Sequence, residues 1–591
     1  MTQQHTSGPL LVEDVLAIII SMVPRGTLLN FRLVNRSLGA LATERAFRHV
    51  RLFAQEEGTR FVDIARSEAL RSCVREITCE TMVIKDGFDY HCNQNFIFPW
   101  RFMAALPFVR YFEKLEILNL NFNKYCGPED NDEDLLDGRA IEESPDIRYR
   151  ILDTIFHCLE GTWSAENQRK VDEGLDLYND YDILYIEDDP EGAFYEDNYQ
   201  GCAAPTHDPP HSVCLTICNL GDFDDPRLTK SDTFRRVIAS QISELKILFT
   251  VQTNDASPEN TIYRPEKYDL MNNLPNTWLM PSLAKNLTVL SLYCRDYWGW
   301  IPRMDFRCVN PGSGQGSGFP NLRVLALGNY VFTHEWQVDW IASLGLQNGR
   351  GGLEELYLDD SPILYKARMV QPMNSGESKV TNVMTGEVIA ISDDLYPLPE
   401  VVMGGTYDPD IIQFPLRWDH VLGRWRDLMK GLRVFRMGHG AWWSHTGFDR
   451  TIKSDEWIQS SDRRDFLSYD CPAFRWYDRP VVDEESDEYD KGSERFKDGE
   501  GFRLDRQHQC QYIEYNIGLG PTQWLEWKDR YKQMLLQMQL PKHILDMYHL
   551  DSHPKLDPEL DPTGTLIKDD DEALRSLLEV VERRREMNSN V

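Results

Sequence analysis

Between residues 10 and 53 the apolar positions fall at Val12, Val15, Leu16, Ile19 and Val23, the 3.6-residue spacing of one helical face. Glu13 and Asp14 occupy the first turn, where negative charge suits the positive end of the helix dipole. Pro24-Arg25-Gly26 predicts its end, since proline disfavours helix in the residue before it and glycine permits turns. Thr27 is placed to cap a second short helix through Leu28, Leu29 and Leu33, and a third is expected through Val34, Leu38, Leu41 and Ala42. Three short helices in about 40 residues lie near the lower limit for a unit that folds unaided. So many large aliphatics on so little chain predict that a partner covers one face.

Farther along, an L-x-x-L-x-L pattern recurs at Leu115/Leu118/Leu120, Leu287/Leu290/Leu292, Leu322/Leu325/Leu327, Leu353/Leu356/Leu358 and, more loosely, Leu432/Phe435/Met437. Val74/Ile77/Cys79 and Leu245/Leu248/Thr250 read as weaker copies, seven in all. Successive starts step by 42, 35 and 31 residues from Leu245 to Leu353. Such self-similarity predicts a solenoid whose units bury their apolar faces against their neighbours. Strand side chains alternate, so the second and third apolar residues of each copy point inward. Helical spacing over 58–69, 145–163, 226–240, 334–344 and 416–429 puts helices between strands, which are then parallel. Residues 126–147, 172–200, 365–415 and 479–501 read as inserts, acidic in the first two, with a hairpin over Lys379–Ile391 turning at Thr385-Gly386 in the third. Trp524, Trp527, Tyr531, Met534, Leu535 and Met538 make a helical stripe. A Pro-punctuated linker then leads to a last helix over 569–587, with acids at its start and Arg583–Arg585 at its end, expected to cap the open end of the array.

Residues 10–53 resemble an F-box, the module that docks on the Skp-type adaptor of cullin–RING (SCF) ubiquitin ligases. The resemblance runs through Leu11, Asp14-Val15-Leu16, Ile19, Val23-Pro24, Leu28-Leu29 and Arg32-Leu33-Val34, with Ala46–Val50 similar to the exit strand of fungal members. Val12 stands where the family has proline, Asn35 where it has cysteine and Leu38 where it has tryptophan. The repeats are similar to the irregular leucine-rich repeats attached to fungal F-boxes, although Asn123 is alone in supplying the family's asparagine after a strand. The resemblance implies an α/β chain: a polar tail at 1–9, a three-helix F-box at 10–53, a leucine-rich-repeat-like solenoid at 54–540 and a linker with a C-terminal helix at 541–591. It implies an adaptor face of Leu10, Leu11, Val12, Val15, Leu16, Ile19, Val23, Pro24, Leu28, Leu29, Leu33 and Val34. The implied partners are the adaptor, a cullin and a protein substrate, and the implied role is non-catalytic substrate recognition. A cullin-independent interaction scaffold is the alternative.

Composition narrows the classes. A net charge of −32 and a pI near 4.9 argue against binding nucleic-acid phosphates or an anionic membrane surface. Twelve irregularly spaced cysteines suit a reducing compartment. The start lacks the basic segment of a signal peptide, and the longest apolar run is about half a membrane span. A cytoplasmic or nuclear protein, monomeric apart from the ligase complex, is expected.

Candidate chemistry is thin. Cys202, His207, His211, Cys214 and Cys218 offer zinc-ligand types, but a strand over 212–220 puts Cys214 and Cys218 about 13 Å apart at 3.3 Å per residue, so no metal is expected. Gly312–Gly318 lacks the Gly-Lys-Ser/Thr of a phosphate loop. A hydrolase would need two rigidly held carboxylates, and the paired acids lie in low-complexity runs. Neither a catalytic residue nor a cofactor is expected. Aromatics after the strands are the better candidates: Trp298 and Trp300, then Trp442 and Trp443, with Tyr293, Tyr357, Asp359 and Arg436 on the adjoining strand face, as a target-binding patch.

Overall fold

The computed structural model describes residues 15–16, 18, 20, 23, 25–34, 36–54, 58–81, 100–122, 145–175, 207–250, 265–311, 318–359, 361–369, 373–381, 386–397, 410–438, 510–516, 524–526 and 560–589. The chain divides into two compact units: residues 1–221, 225–243 and 478–494, and residues 222–224, 244–477 and 495–591. Both are α/β, and each is built on parallel strands that pair in chain order.

In the first unit, β1 (His49–Phe53), β2 (Glu76–Glu80), β3 (Ile117–Asn121) and β4 (Val213–Gly221) lie side by side and parallel. Alternation aligns Val50, Ile77, Leu118 and Leu215 in one row and Leu52, Cys79, Leu120 and Ile217 in another, all buried. Each strand begins the same way. Arg48 O accepts from both Arg75 N–H and Glu76 N–H, and Arg75 O accepts from both Glu116 N–H and Ile117 N–H. The helices between the strands pack on one another in succession. Thr59–Arg66 lies against the 3₁₀ turn Leu106–Tyr111, the turn against Pro145–Glu160, and that helix against Asp232–Ser240, where Phe156 and Phe234 meet with centroids 5.1 Å apart. Ser231 starts the Asp232–Ser240 helix by accepting from Phe234 N–H, and the one helix expected over 226–240 is two, broken at Lys230-Ser231.

The second unit repeats the scheme with β5 (Ile242–Thr250, counted here from Glu244), β6 (Val289–Trp298), β7 (Val324–Tyr330) and β8 (Glu355–Asp359). The chain then makes β9 (Ile363–Met369), β10 (Glu377–Thr381), β11 (Val388–Ser392) and β12 (Asp410–Gln413) before β13 (Val434–Gly438) returns parallel to β8. Leu245, Leu290, Leu325, Leu356 and Phe435 form one buried row, and Ile247, Leu292, Leu327, Leu358 and Met437 the other. The strand starts match those of the first unit: Thr288, Arg323 and Glu354 each accept from two successive N–H groups of the next strand. This arrangement is compatible with a solenoid-like α/β fold.

Several sequence expectations need correction. Leu245 pairs with Leu290, the second leucine of its copy, so the β5 copy reads Ile242/Leu245/Ile247 and not Leu245/Leu248/Thr250. Val50/Leu52 and Leu215/Ile217 carry the same rows, although Phe47 and Ser212 stand where other copies have leucine. The 365–415 stretch interrupts the array as expected, since β13 pairs with β8, but its strands build more than a hairpin: β12, β9, β14 (Tyr512–Asn516) and β15 (Trp524–Glu526) form a second sheet in that order. Its Ala367 and Met369 share a buried cluster with Trp300, Tyr396, Phe414 and Tyr515. Residues 145–147 open a helix, and Leu175 is buried, so the first two inserts are shorter than expected. Trp524 begins a strand, not a helix. The expected hairpin is present as antiparallel β10–β11, and the last helix spans Leu566–Ser589. It packs along Trp418–Leu428 and β13.

Candidate protein-interaction surfaces

Two short helices, Arg25–Phe31 and Arg36–Ala46, carry part of the N-terminal aliphatics, and Leu33 and Val34 fall in the turn between them. The second helix of the pattern therefore starts at Arg25, not at Thr27. Ile20, Leu28, Ala42 and Ala46 close a small core, with Val23, Phe31, Leu38, Leu41 and Phe47 packed on it. Arg32 braces the helices. Its Nε donates to Thr43 Oγ1 at 3.0 Å and its guanidinium lies 4.7 Å from the Phe47 ring centroid. Gly39 permits this approach, because a Cβ there would come within 3.0 Å of Arg32 O.

That core leaves much apolar surface outside. Val15, Ile18 and Leu29 are exposed, and Leu33 and Val34 are 87% and 64% exposed. Of the expected adaptor residues, Val15, Leu29, Leu33 and Val34 thus lie on the surface, Leu16 is half-buried, and Val23 is tucked against the core. Leu28 is corrected: it is a core residue and offers no face to a partner. Leu10, Leu11, Val12, Ile19 and Pro24 lie outside the described residues. Ile18 was not singled out in the sequence, although it extends the same apolar run.

The aromatic patch expected after the strands is corrected in its first half. Trp298 and Trp300 are 1% and 0% exposed, and both are core. Trp298 donates its indole N–H to Gly328 O at 2.7 Å and meets Tyr330 edge to face at 4.9 Å. Gly299, at φ 100°, leaves room for that tyrosine ring. Trp300 donates to Leu395 O at 2.9 Å and packs against Phe414 and Tyr515. Large indoles with satisfied N–H groups fill the space between strand ends and crossovers. Tyr293 and Tyr357 are buried too, and Tyr357 Oη donates to Glu355 Oε2 at 2.7 Å. Arg436 is half-buried, its guanidinium reaching Phe435 O at 3.3 Å. The side chains of Asp359, Trp442 and Trp443 lie outside the described residues.

Two features went unread in the sequence. Asn219 and Asn329 both sit at φ 57° at the ends of β4 and β7, and donate at 2.8 Å to Phe122 O and Cys294 O on the preceding strands. They do the work sought from an asparagine one position later in the pattern. The second feature is a charged knot at the root of β10–β11. Asp305 pairs with Arg303 at 2.7 Å and Arg307 at 2.6 Å, Arg303 reaches Asp393 at 2.6 Å, and the guanidiniums lie over Tyr396 and Trp336, each at 4.4 Å. Despite burial, the two arginines hold the Asp305 carboxyl below its usual range. His334 stacks on Tyr396 at 4.7 Å, and burial pushes its pKa down to about 4. These groups are matched to one another.

On the strand face of the first unit, Glu80 is buried and accepts from Asn121 Nδ2 at 2.6 Å. Burial pushes its carboxyl up to about 7, against the opposing pull of Asn121 and Arg51. Cys214 and Cys218 are buried on β4 as expected, while His207 Nε2 lies 3.1 Å from Tyr111 O. Among the described residues no three His, Cys, Asp or Glu side chains are grouped to hold a metal, and no helix is long and apolar enough to cross a membrane. Compared with known proteins, the chain matches no family model and no curated protein.

Proposed function

We propose that the chain is the substrate-recognition subunit of an SCF-type ubiquitin ligase, holding a Skp-type adaptor through an N-terminal F-box and a target protein through the repeat-like body. The observation that carries the reading is the exposed aliphatic set Val15, Ile18, Leu29, Leu33 and Val34, on and beside short helices whose own core is already closed. An apolar group of this kind on a small unit marks a protein contact. The F-box resemblance that runs through Val15, Leu29, Leu33 and Val34 gives that contact its partner. Local charge agrees: residues 25–81 hold ten arginines against seven acids in a chain of net charge −32, so this region suits an acidic partner. The mechanism is proximity. Holding target and ubiquitin-conjugating enzyme in one complex raises the effective concentration of target lysines, with no chemistry asked of this chain.

Co-purification tests it. The full chain is expected to bring down both adaptor and cullin. Adaptor without cullin would favour a cullin-independent scaffold, and neither would end the F-box reading.

A further inference from the structure

The hairpin β10–β11 forms a sheet of its own among the described residues. Its register pairs Glu377 with Ser392 and Thr381 with Val388, and one step earlier Asp393 N–H donates to Gly376 O at 2.9 Å. Hydrogen-bonded and non-bonded pairs alternate along an antiparallel ladder. Ser378/Ile391 and Val380/Ile389 therefore exchange the internal bonds. The N–H and C=O groups of Val388, Ala390 and Ser392 point outward along the outer edge of β11. Ser392 bears this out, since its carbonyl accepts from Arg307 Nη2 at 2.9 Å, outside the hairpin. The root is held firmly: Asp393 by Arg303 at 2.6 Å, Leu395 O by Trp300 Nε1 at 2.9 Å, and Asp394 O beside His334 Nε2 at 2.9 Å.

Sheet edges are ordinarily protected by charge, proline, a bulge or a cover. The β11 segment, Val388-Ile389-Ala390-Ile391-Ser392, has no charge and no proline, and Val388, Ile389 and Ile391 suit strands. Val388 is 59% exposed and Ala390 is exposed. Beside it stand the exposed acids Glu377, Glu387 and Asp394, while Lys379 is the one cation in residues 373–397. Pairing of β11 with a second copy of itself would bring together two chains of net charge −32. We propose that the outer edge of β11 is a strand-addition site that takes an extended, net-basic segment of the target protein, its residues alternating apolar and basic. Main-chain hydrogen bonds supply such binding and alternate side chains its selectivity. The proposal rests on the target-recruiting role above.

The test uses the full chain and a blocked peptide of alternating valine and lysine. Hydrogen exchange at the amides of Val388 and Ala390 is expected to slow when the peptide binds, and a valine–glutamate peptide is expected to leave it unchanged. Ala390→Pro removes an outward N–H without removing a bond of the hairpin, and should weaken the valine–lysine peptide at least tenfold. Ala390→Lys, which keeps the backbone donor and adds repelling charge, should weaken it as well, so the test survives if the proline disturbs the hairpin. Unchanged exchange at residues 388 and 390, or full peptide binding by both variants, overturns the proposal. So does a dimer in sedimentation that Ala390→Pro abolishes, which would make a second copy the occupant. Adaptor binding measured on the same samples separates the two ideas: its absence in the unaltered chain ends the F-box reading, whereas loss of peptide binding alone ends only this one.

Discussion

Gly328 faces Tyr293 across β6 and β7, and a Cβ at Gly328 would fall 1.6 Å from Tyr293 Cδ2. The glycine is there so that a tyrosine ring can lie over the neighbouring strand. Gly328→Ala should therefore lower stability by about 1–3 kcal/mol, the usual range for overpacking, but much less when made in a Tyr293→Ala background. Denaturant midpoints of the two single variants and the double variant measure it; an equal cost of Gly328→Ala in both backgrounds would mean that the ring is not the obstacle. Leu28 and Leu33 form a second contrast. Leu28→Ala empties a core position and should cost about 2–5 kcal/mol, whereas Leu33→Ala removes a side chain already in water and should leave unfolding nearly unchanged. The 3.6 periodicity placed both leucines on one apolar face, but the helix ends at Phe31, so Leu28 stays inside it and Leu33 falls in the turn that follows. Trp298 and Trp300 show the same limit. Trp298 ends β6 instead of following it, and Trp300 is closed over by Ala367 and Met369 of β9 and by Phe414, which no local period links to it.

Among the elements, the Trp418–Leu428 helix has both ends served by the C-terminal helix beside it. Asp570 accepts from Asp419 N–H at 2.9 Å in its first turn and from Tyr512 Oη at 2.9 Å. Arg584 donates to Met429 O at 2.6 Å and Arg426 O at 3.0 Å at its other end. A carboxyl oxygen at the start and a guanidinium at the finish satisfy backbone groups that a helix end leaves without partners. Acids and arginines at the ends of the last helix were legible in sequence as serving its own dipole; that two of them serve a neighbour is set by packing alone. Burial pushes the Asp570 pKa up to about 7, outweighing the hydrogen bonds from Tyr512 and Asp419 that pull it down. A carboxyl with a raised folded pKa contributes stability that is full below its unfolded value near 4 and is lost as pH rises through about 7. The contribution is about 4 kcal/mol for the whole shift. Asp570→Asn should flatten the fall in stability between pH 4 and pH 8, with Glu80 leaving a residual fall of the same sign. Parallel pH profiles for the two proteins would contradict the assignment.

At the scale of the molecule, parallel strands in chain order were readable because the two buried rows repeat through Leu, Ile, Val, Phe, Met and Cys alike. The β4 copy escaped because Ser212 replaces the leading leucine, and the β5 copy slipped by three residues because Leu248 mimics the second leucine. The second sheet escaped for a different reason: its strands come from distant parts of the chain, and no local period links Ile363–Met369 to Tyr512–Asn516. Charge is uneven as well, with arginines in excess at residues 25–81 and acids dominating the whole. Association with an acidic partner there should weaken as salt is raised, through screening of the exposed arginines. The most direct test of the account is the affinity of a Skp-type adaptor for the full chain and for its Leu29→Asp/Leu33→Asp variant, measured by calorimetry. Both leucines are exposed, so the variant is expected to unfold at the same temperature as the original. Charges placed in a desolvated interface should reduce adaptor affinity by at least a hundredfold. Equal affinity in the two proteins would contradict the claim that this aliphatic face is where the partner docks.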